Sequence, residues 1–182
     1  MQYLKGTINY GVFYLSSATV SFLGYTDSDW ASDSSDKQST VGYLFQLGSG
    51  PISWSSKKVK TLALSSCEAE YKASKEAAKQ EVWLCHVLTN LGLIQKSTTK
   101  LRCDNQGAIQ LAYNFLYHSK TKHIDIDAYY IQDLVADGTI SLTHCPTEKQ
   151  ATDIFTRSMT DENFVHLHYL LGMREVVIKG EH

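Results

Sequence analysis

Proline is nearly absent from this chain, with Pro51 and Pro146 the only two in 182 residues. Low-complexity tracts and blocks of like charge are absent too, which excludes a disordered or fibrous chain and favours a packed domain. No apolar run approaches the roughly 20 residues of a membrane span, so no membrane partner is expected. The start, Met1-Gln2-Tyr3-Leu4-Lys5-Gly6, lacks a charged region followed by an apolar stretch, and no secretory signal is visible. The four cysteines (Cys67, Cys85, Cys103, Cys145) are scattered and form no C-x-x-C pair. That excludes a disulfide framework or zinc site as the first reading and suits reduced thiols in an intracellular protein. An excess of positive charge is also lacking: 17 basic residues face 19 acidic ones, a formal net charge of −2. Generic nucleic-acid binders are usually basic.

What is present is a chain 43% hydrophobic, enough for one compact domain with a short arm. Residues 1–20 form that arm, 21–172 the domain and 173–182 a C-terminal tail. Three strand-like runs, Ser21–Ser28, Val41–Leu47 and Ile52–Lys57, are joined by short polar loops, as in an antiparallel meander. Residues 65–91 read as one long helix, with Ala73, Ala77, Leu84, Leu88 and Leu91 on one stripe and Gly92 to end it. A strand (Thr99–Asp104), helices (Gln106–Tyr113, Ile124–Ala136), a further strand (Thr139–Cys145) and two helices (Thr147–Arg157, Asn163–Leu171) complete the pattern. The start Thr147-x-x-Gln150 is similar to a capping box. The order predicts a mixed sheet flanked by helices, an α/β domain.

Four carboxylates stand in different elements: Asp27 in the first strand, Glu70 in the long helix, Asp104 at a strand end and Asp153 in a late helix. Acids gathered at one point repel each other unless hard cations join them, and two such cations can run a displacement at phosphorus. Two divalent ions would also turn a net charge of −2 into +2. Helix phase separates Glu70 from Glu68, because residues two apart lie about 200° apart around the axis. Glu70 falls on the alanine-lined face towards the sheet. Glu68 falls with Lys72 and Lys75 on the solvent side and completes a capping box with Ser65. Asp27 and Asp29 share a strand face with Leu23 and Tyr25, and either can point at a site. Asp104 stands where a strand hands over to a helix, a usual ligand position, and Asn105 can cap that helix. Asp153 by itself carries the weakest signal.

Thr26-Asp27, Glu70-Tyr71-Lys72-Ala73, Cys103-Asp104-Asn105-Gln106 and Glu148-x-x-x-x-Asp153 resemble, in order and spacing, a ribonuclease H domain. Closer still is the resemblance to the RNase H domain of copia-type LTR retrotransposon polyproteins. It is carried by Gly24-Tyr25-Thr26-Asp27-Ser28-Asp29-Trp30-Ala31, Ser39-Thr40-Val41-Gly42-Tyr43, Ile52-Ser53-Trp54-Ser55-Ser56-Lys57-Lys58 and Ala63-Leu64-Ser65-Ser66-x-Glu68-Ala69-Glu70-Tyr71. His118-Ser119-Lys120-Thr121-Lys122-His123-Ile124-Asp125-Ile126 and Cys145-Pro146-Thr147-Glu148…Asp153-Ile154-Phe155-Thr156 continue it. The match covers roughly residues 3–172. Tyr3-Leu4-Lys5-Gly6-Thr7 resembles the stretch joining such a domain to a reverse transcriptase. Met1 therefore begins inside that stretch, as an excised piece or a free-standing gene would.

The resemblance implies an RNase H-like fold, with a five-stranded mixed sheet whose first three strands are antiparallel. It implies hydrolysis of the RNA strand of an RNA–DNA hybrid with two Mg²⁺ or Mn²⁺. Asp27, Glu70, Asp104 and Asp153 would be both the catalytic residues and the metal ligands. Ser28, Asn105, Gln106, Lys120, Lys122 and His123 are candidates for nucleic-acid contact. Partners would be the hybrid and, in a parent polyprotein, a reverse transcriptase domain, and a monomer is expected. The alternatives are a domesticated module that grips hybrids or a protein without cleaving, and a nuclease of the same fold acting on DNA. The chain departs from the family in three places. A histidine-bearing loop before the last acid is missing, leaving His144 inside a strand in a structural role. A basic protrusion after the long helix is not seen. Asp127 replaces a basic residue near Lys120, Lys122 and His123. Trp30 and Trp54 are expected in the core, with base stacking the alternative. His166 and His168, two apart on a helix, do not suggest a metal pair.

Overall fold

A computed structural model describes residues 5–16, 21–30, 38–59, 63–114 and 125–176, with side chains described from residue 129 in the last segment. Strands β1 (Tyr10–Val12), β2 (Phe22–Asp29), β3 (Ser39–Leu47) and β4 (Gly50–Val59) come first. Helix α1 (Ser66–Asn90), strand β5 (Thr99–Cys103) and helices α2 (Gln106–Tyr113) and α3 (Asp125–Ala136) follow. Strand β6 (Ile140–His144), helices α4 (Asp153–Thr156) and α5 (Asp161–Leu170) and strand β7 (Met173–Glu175) close the order.

The main sheet has five strands in the order β4-β3-β2-β5-β6. Strands β2, β3 and β4 are antiparallel neighbours, while β5 runs parallel to β2 and β6 parallel to β5. This is the expected α/β mixed sheet with an antiparallel first trio. Side chains alternate across it, so each strand feeds both faces. Phe45 and Leu101 pack with Tyr71, Ala77 and Leu84 of α1, Ala108 of α2 and Ile131 of α3. On the other face Tyr25 and Leu44 pack with Cys145, Ala151 and Leu171, beside Ile154 and Phe155.

Helix α1 forms as its pattern predicts. Ser65 caps it by accepting a hydrogen bond from the Glu68 N–H at 3.2 Å. Glu68 reaches back to the Leu64 N–H (2.8 Å), one residue earlier than in a standard capping box, and pairs with Lys72 at 2.7 Å. Ala73, Ala77, Leu84 and Leu88 of the expected stripe are buried. Leu91 is not: it lies past the last helical turn and is 70% exposed. Gly92 follows with φ +79°, a left-handed geometry that suits glycine at a helix end.

Three further expectations need correction. Thr147–Arg157 is not one helix but a 3₁₀ turn at Thr147–Lys149 and the four-residue α4, with an extended Gln150 between them. Gln150 turns inward instead of capping, and its Nε2 donates to the Thr26 carbonyl at 2.9 Å. That carbonyl lies just beyond the β2–β5 ladder, whose pairing ends at Tyr25↔Arg102, so a buried acceptor there needs a side-chain donor. Trp30 and Trp54 are not core residues, being 45% and 58% exposed. Trp30 is held by its indole N–H on the Ala63 carbonyl (3.0 Å), and Trp54 lies on β4, the outermost strand. His144 is the last residue of β6 and is exposed, so it does not pack as a structural histidine.

Strands β1 and β7 were not foreseen. They pair antiparallel, with Tyr10 opposite Glu175 and Val12 opposite Met173, and so join the arm to the start of the tail. Tyr10 also packs edge-on against His168, which is buried on α5, while His166 two residues earlier is exposed. The two histidines point apart, as helix geometry requires.

Candidate functional site

The four acids come from β2, α1, the end of β5 and α4, and they meet beyond the end of the β2–β5 ladder. Parallel strands that diverge leave a crevice at their carboxyl ends, and loops and helix ends can project side chains into it. Asp27 is fully buried near the end of β2. One of its oxygens accepts from Arg157 Nη2 at 2.8 Å, and the other accepts from the Thr156 hydroxyl. The same Arg157 nitrogen lies 3.5 Å from Asp153 Oδ1 and 3.7 Å from Asp104 Oδ2. Three of the four acids thus surround one guanidinium.

Glu70 approaches from α1 and is 5% exposed. Its Oε1 accepts from both the backbone N–H and the hydroxyl of Ser28, each at 2.9 Å. One ligand atom each from Glu70, Cys103 and Asp104 lie within 4.8 Å of one another, which brings Glu70 into the same cluster. Glu68 is absent from it.

Close approach here depends on Gly42. It stands opposite Asp27 in the β2–β3 register. A Cβ on it would lie 2.8 Å from Thr156 Cγ2 and 3.3 Å from Phe155 Cβ, so only glycine lets α4 settle against the sheet. Ser56 of β4 adds a hydrogen bond to the Phe155 carbonyl at 2.5 Å. The position of α4, and with it Asp153, is therefore fixed from β3 and β4.

The electrostatics follow from burial and crowding. Burial, then the charges of Asp27 and Asp104, push the Glu70 carboxyl up to about 8. Burial and the charge of Asp27 raise Asp153 to about 7, against the opposing pull of Arg157. Asp104 is raised by the same two causes. Cys103 donates to Glu70 Oε2 at 3.7 Å, and burial with the Glu70 charge drives its thiol far upward. Apart from this one thiol, the ligand atoms gathered here are carboxylate oxygens. That set suits a hard divalent cation and not a soft one.

The other sequence-derived candidates fall in different settings. Asn105 caps α2 by accepting from the Ala108 N–H at 3.0 Å. Gln106, the first residue of α2, is exposed two positions after Asp104. Ser28 is buried, with its hydroxyl on Glu70. Asp29 is half-buried. Lys120, Lys122 and His123 lie outside the described residues, as does the side chain of Asp127. Sequence reasoning missed Arg157, Thr156 and Gln150. The signal for Arg157 was its i, i+4 spacing from Asp153 on a helix. Nothing in the sequence marks a threonine or glutamine that will hydrogen-bond across 124 or 129 positions.

No protein-family model matches the chain. It is 39% identical over 97% of its length to the retrovirus-related Pol polyprotein from transposon RE1 of Arabidopsis thaliana. It is 38% identical over 95% to the corresponding polyprotein from transposon TNT 1-94 of Nicotiana tabacum. The chain spans only 12% and 13% of those two proteins. Among solved structures, LC11-RNase H1 in complex with an RNA/DNA hybrid aligns over 79% of this chain and 99% of its own, with a TM-score of 0.55 and 16% identity. That likeness is one of fold.

Proposed function

Because the chain is homologous to a segment of retrovirus-related Pol polyproteins from plant transposons and carries the fold of RNase H structures, we propose that it is a metal-dependent endoribonuclease cutting the RNA strand of RNA–DNA hybrids. The observation that carries this reading is the convergence of Asp27, Asp104 and Asp153 on one point with Glu70 beside Asp104. Repulsion among four acids, three of them with raised pKa, is a standing cost that bound divalent cations would relieve.

Asp27, Glu70, Asp104 and Asp153 are the proposed ligands of two Mg²⁺ or Mn²⁺. Such a pair supplies a nucleophile from water and neutralises charge at the scissile phosphate and leaving oxygen. The protein's own part is positional. Ser28 holds one oxygen of Glu70, Thr156 fixes Asp27, and Gly42 lets α4 carry Asp153 close to the sheet. Burial of Asp27 and Glu70 keeps bulk water from these carboxylates. Gln106, which is exposed, would contact the nucleic acid, and 2′-hydroxyl contacts with groove shape would give hybrid selectivity. A reverse transcriptase domain in a parent polyprotein would be a natural source of further substrate affinity.

One observation favours a second reading, a module that binds hybrids without cutting. Arg157 already balances part of the acid charge without any metal. A cleavage assay on a labelled hybrid with Mg²⁺ or Mn²⁺, with Asp104→Asn alongside and duplex DNA as a second substrate, separates the readings. Hybrid cleavage by the wild type, lost in the variant, supports the enzyme. Equal inertness sinks it, and preferential cutting of duplex DNA reassigns the substrate.

A further inference from the structure

The guanidinium of Arg157 occupies the middle of the proposed metal site. One nitrogen lies 2.8, 3.5 and 3.7 Å from oxygens of Asp27, Asp153 and Asp104. A divalent ion bound to those same oxygens would stand a few ångströms from a positive charge, and such repulsion is large wherever water screens poorly. Ion and arginine cannot both keep this arrangement.

Arg157 has somewhere to go. It sits at the C-terminal end of α4, and its side chain is 38% exposed. It lines an open cleft of about 630 Å³ together with Asp153, Thr147, Ser158, Asn163 and His166. Asp27 would stay oriented without it, since Thr156 holds the other carboxylate oxygen. Nor would α4 be released, since the Ser56 bond to Phe155 and the fit at Gly42 do not involve the arginine.

We infer that Arg157 is a resident counter-cation, which holds the three aspartates together before metal arrives and must be displaced towards the cleft when divalent ions bind. It is a positioning residue that sets metal affinity. This rests on the metal-site reading above and adds a competitor to it. The tethered cation lowers apparent metal affinity in proportion to how rarely it leaves the acids unaided.

The test is titration calorimetry of the whole chain with Mn²⁺ alone, without nucleic acid, together with thermal melting in EDTA. Arg157→Gln removes the charge and Arg157→Lys keeps it with a poorer fit. The expected result is that Arg157→Gln melts below wild type in EDTA yet binds Mn²⁺ about tenfold more tightly, with Arg157→Lys between. If Arg157→Gln fails to fold, tighter Mn²⁺ binding by Arg157→Lys than by wild type supports the inference in its place. Wild-type binding that the substitutions leave unchanged or weaken overturns the inference and spares the metal site. If folded wild type and variants all fail to bind Mn²⁺, the metal-site reading falls and the inference with it.

Discussion

Glu70 and Ser28 are joined twice: the backbone N–H and the hydroxyl of Ser28 both donate to Glu70 Oε1 at 2.9 Å. The pair ties α1 to β2 one residue from Asp27. Ser28→Ala removes one of the two bonds and should cost about 1 kcal/mol by urea denaturation. It should also reduce cleavage, because the freed carboxylate has more orientations. Unchanged stability and rate would mean the backbone bond alone suffices.

Glu70 and Glu68 should behave as opposites. Glu70→Gln is expected to abolish hybrid cleavage while keeping or raising stability at neutral pH, since the amide is neutral without having to take up the proton that burial and the charges of Asp27 and Asp104 force on the folded carboxyl. Glu68→Gln should leave cleavage intact and cost about 1 kcal/mol at most, through the helix start and the Lys72 pair. A reversed outcome in parallel activity and melting assays would reassign the catalytic glutamate.

The raised carboxyls set a pH dependence opposite to ordinary acid denaturation. Glu70 moves from 4.5 to about 8, and Asp153 from 3.8 to about 7. The folded state therefore holds protons that the unfolded chain has already released. Stability from these groups is present below about pH 4 and is lost progressively as pH rises to about 8. In EDTA, the melting temperature of wild type should fall relative to Glu70→Gln across this range. A difference independent of pH would contradict the shift.

Gly42 should not tolerate a methyl group. Gly42→Ala places a Cβ against Thr156 and Phe155 and should cost about 1–3 kcal/mol through overpacking. Cleavage should fall further than stability explains, because Thr156 and Asp153 move with α4. Wild-type activity in a folded Gly42→Ala protein would show that α4 has slack.

All four cysteines are free, and burial raises each thiol, Cys85 to about 12. The thiolate is the reactive form. Iodoacetamide at neutral pH should label the native protein slowly and all four sites after unfolding, as read by mass spectrometry. Rapid native labelling of Cys103 would argue against its buried place beside Glu70.

The sheet was legible in the sequence because alternation and short loops mark strands locally, and α1 was legible from its stripe. Helix phase was enough to bury Glu70 and to separate it from Glu68, which is half-buried at the helix start on the Leu64 N–H and Lys72. The 147–157 region was not legible, because what breaks it is a distant carbonyl on Thr26 that recruits Gln150. The exposure of Trp54 escaped for a related reason: strand order puts β4 at an edge, and composition does not encode strand order. Trp30 lies just past the end of β2, where its indole N–H is taken by the distant Ala63 carbonyl. Of the site, helix phase singled out Glu70 and a strand-to-helix junction marked Asp104, whereas Asp27 over Asp29, and Asp153 at all, were chosen by the resemblance of their motifs to a ribonuclease H domain. Their supports, Arg157, Thr156 and Gly42, look ordinary until the fold brings them beside Asp27.

The β1–β7 ladder has a mechanical consequence. Tyr10 faces Glu175 at the outer end of three antiparallel pairs, with the Val176 N–H bonded to the Asn9 carbonyl just beyond and the Phe13 N–H to Gly172 at the inner end. Tension applied through the flanking polypeptide would load these bonds one after another, as in a zipper, instead of shearing them together. Such a clasp gives way at low force while the five-stranded sheet keeps its register. The domain could then be tugged by whatever it is tethered to without disturbing the acids at the far end of β2.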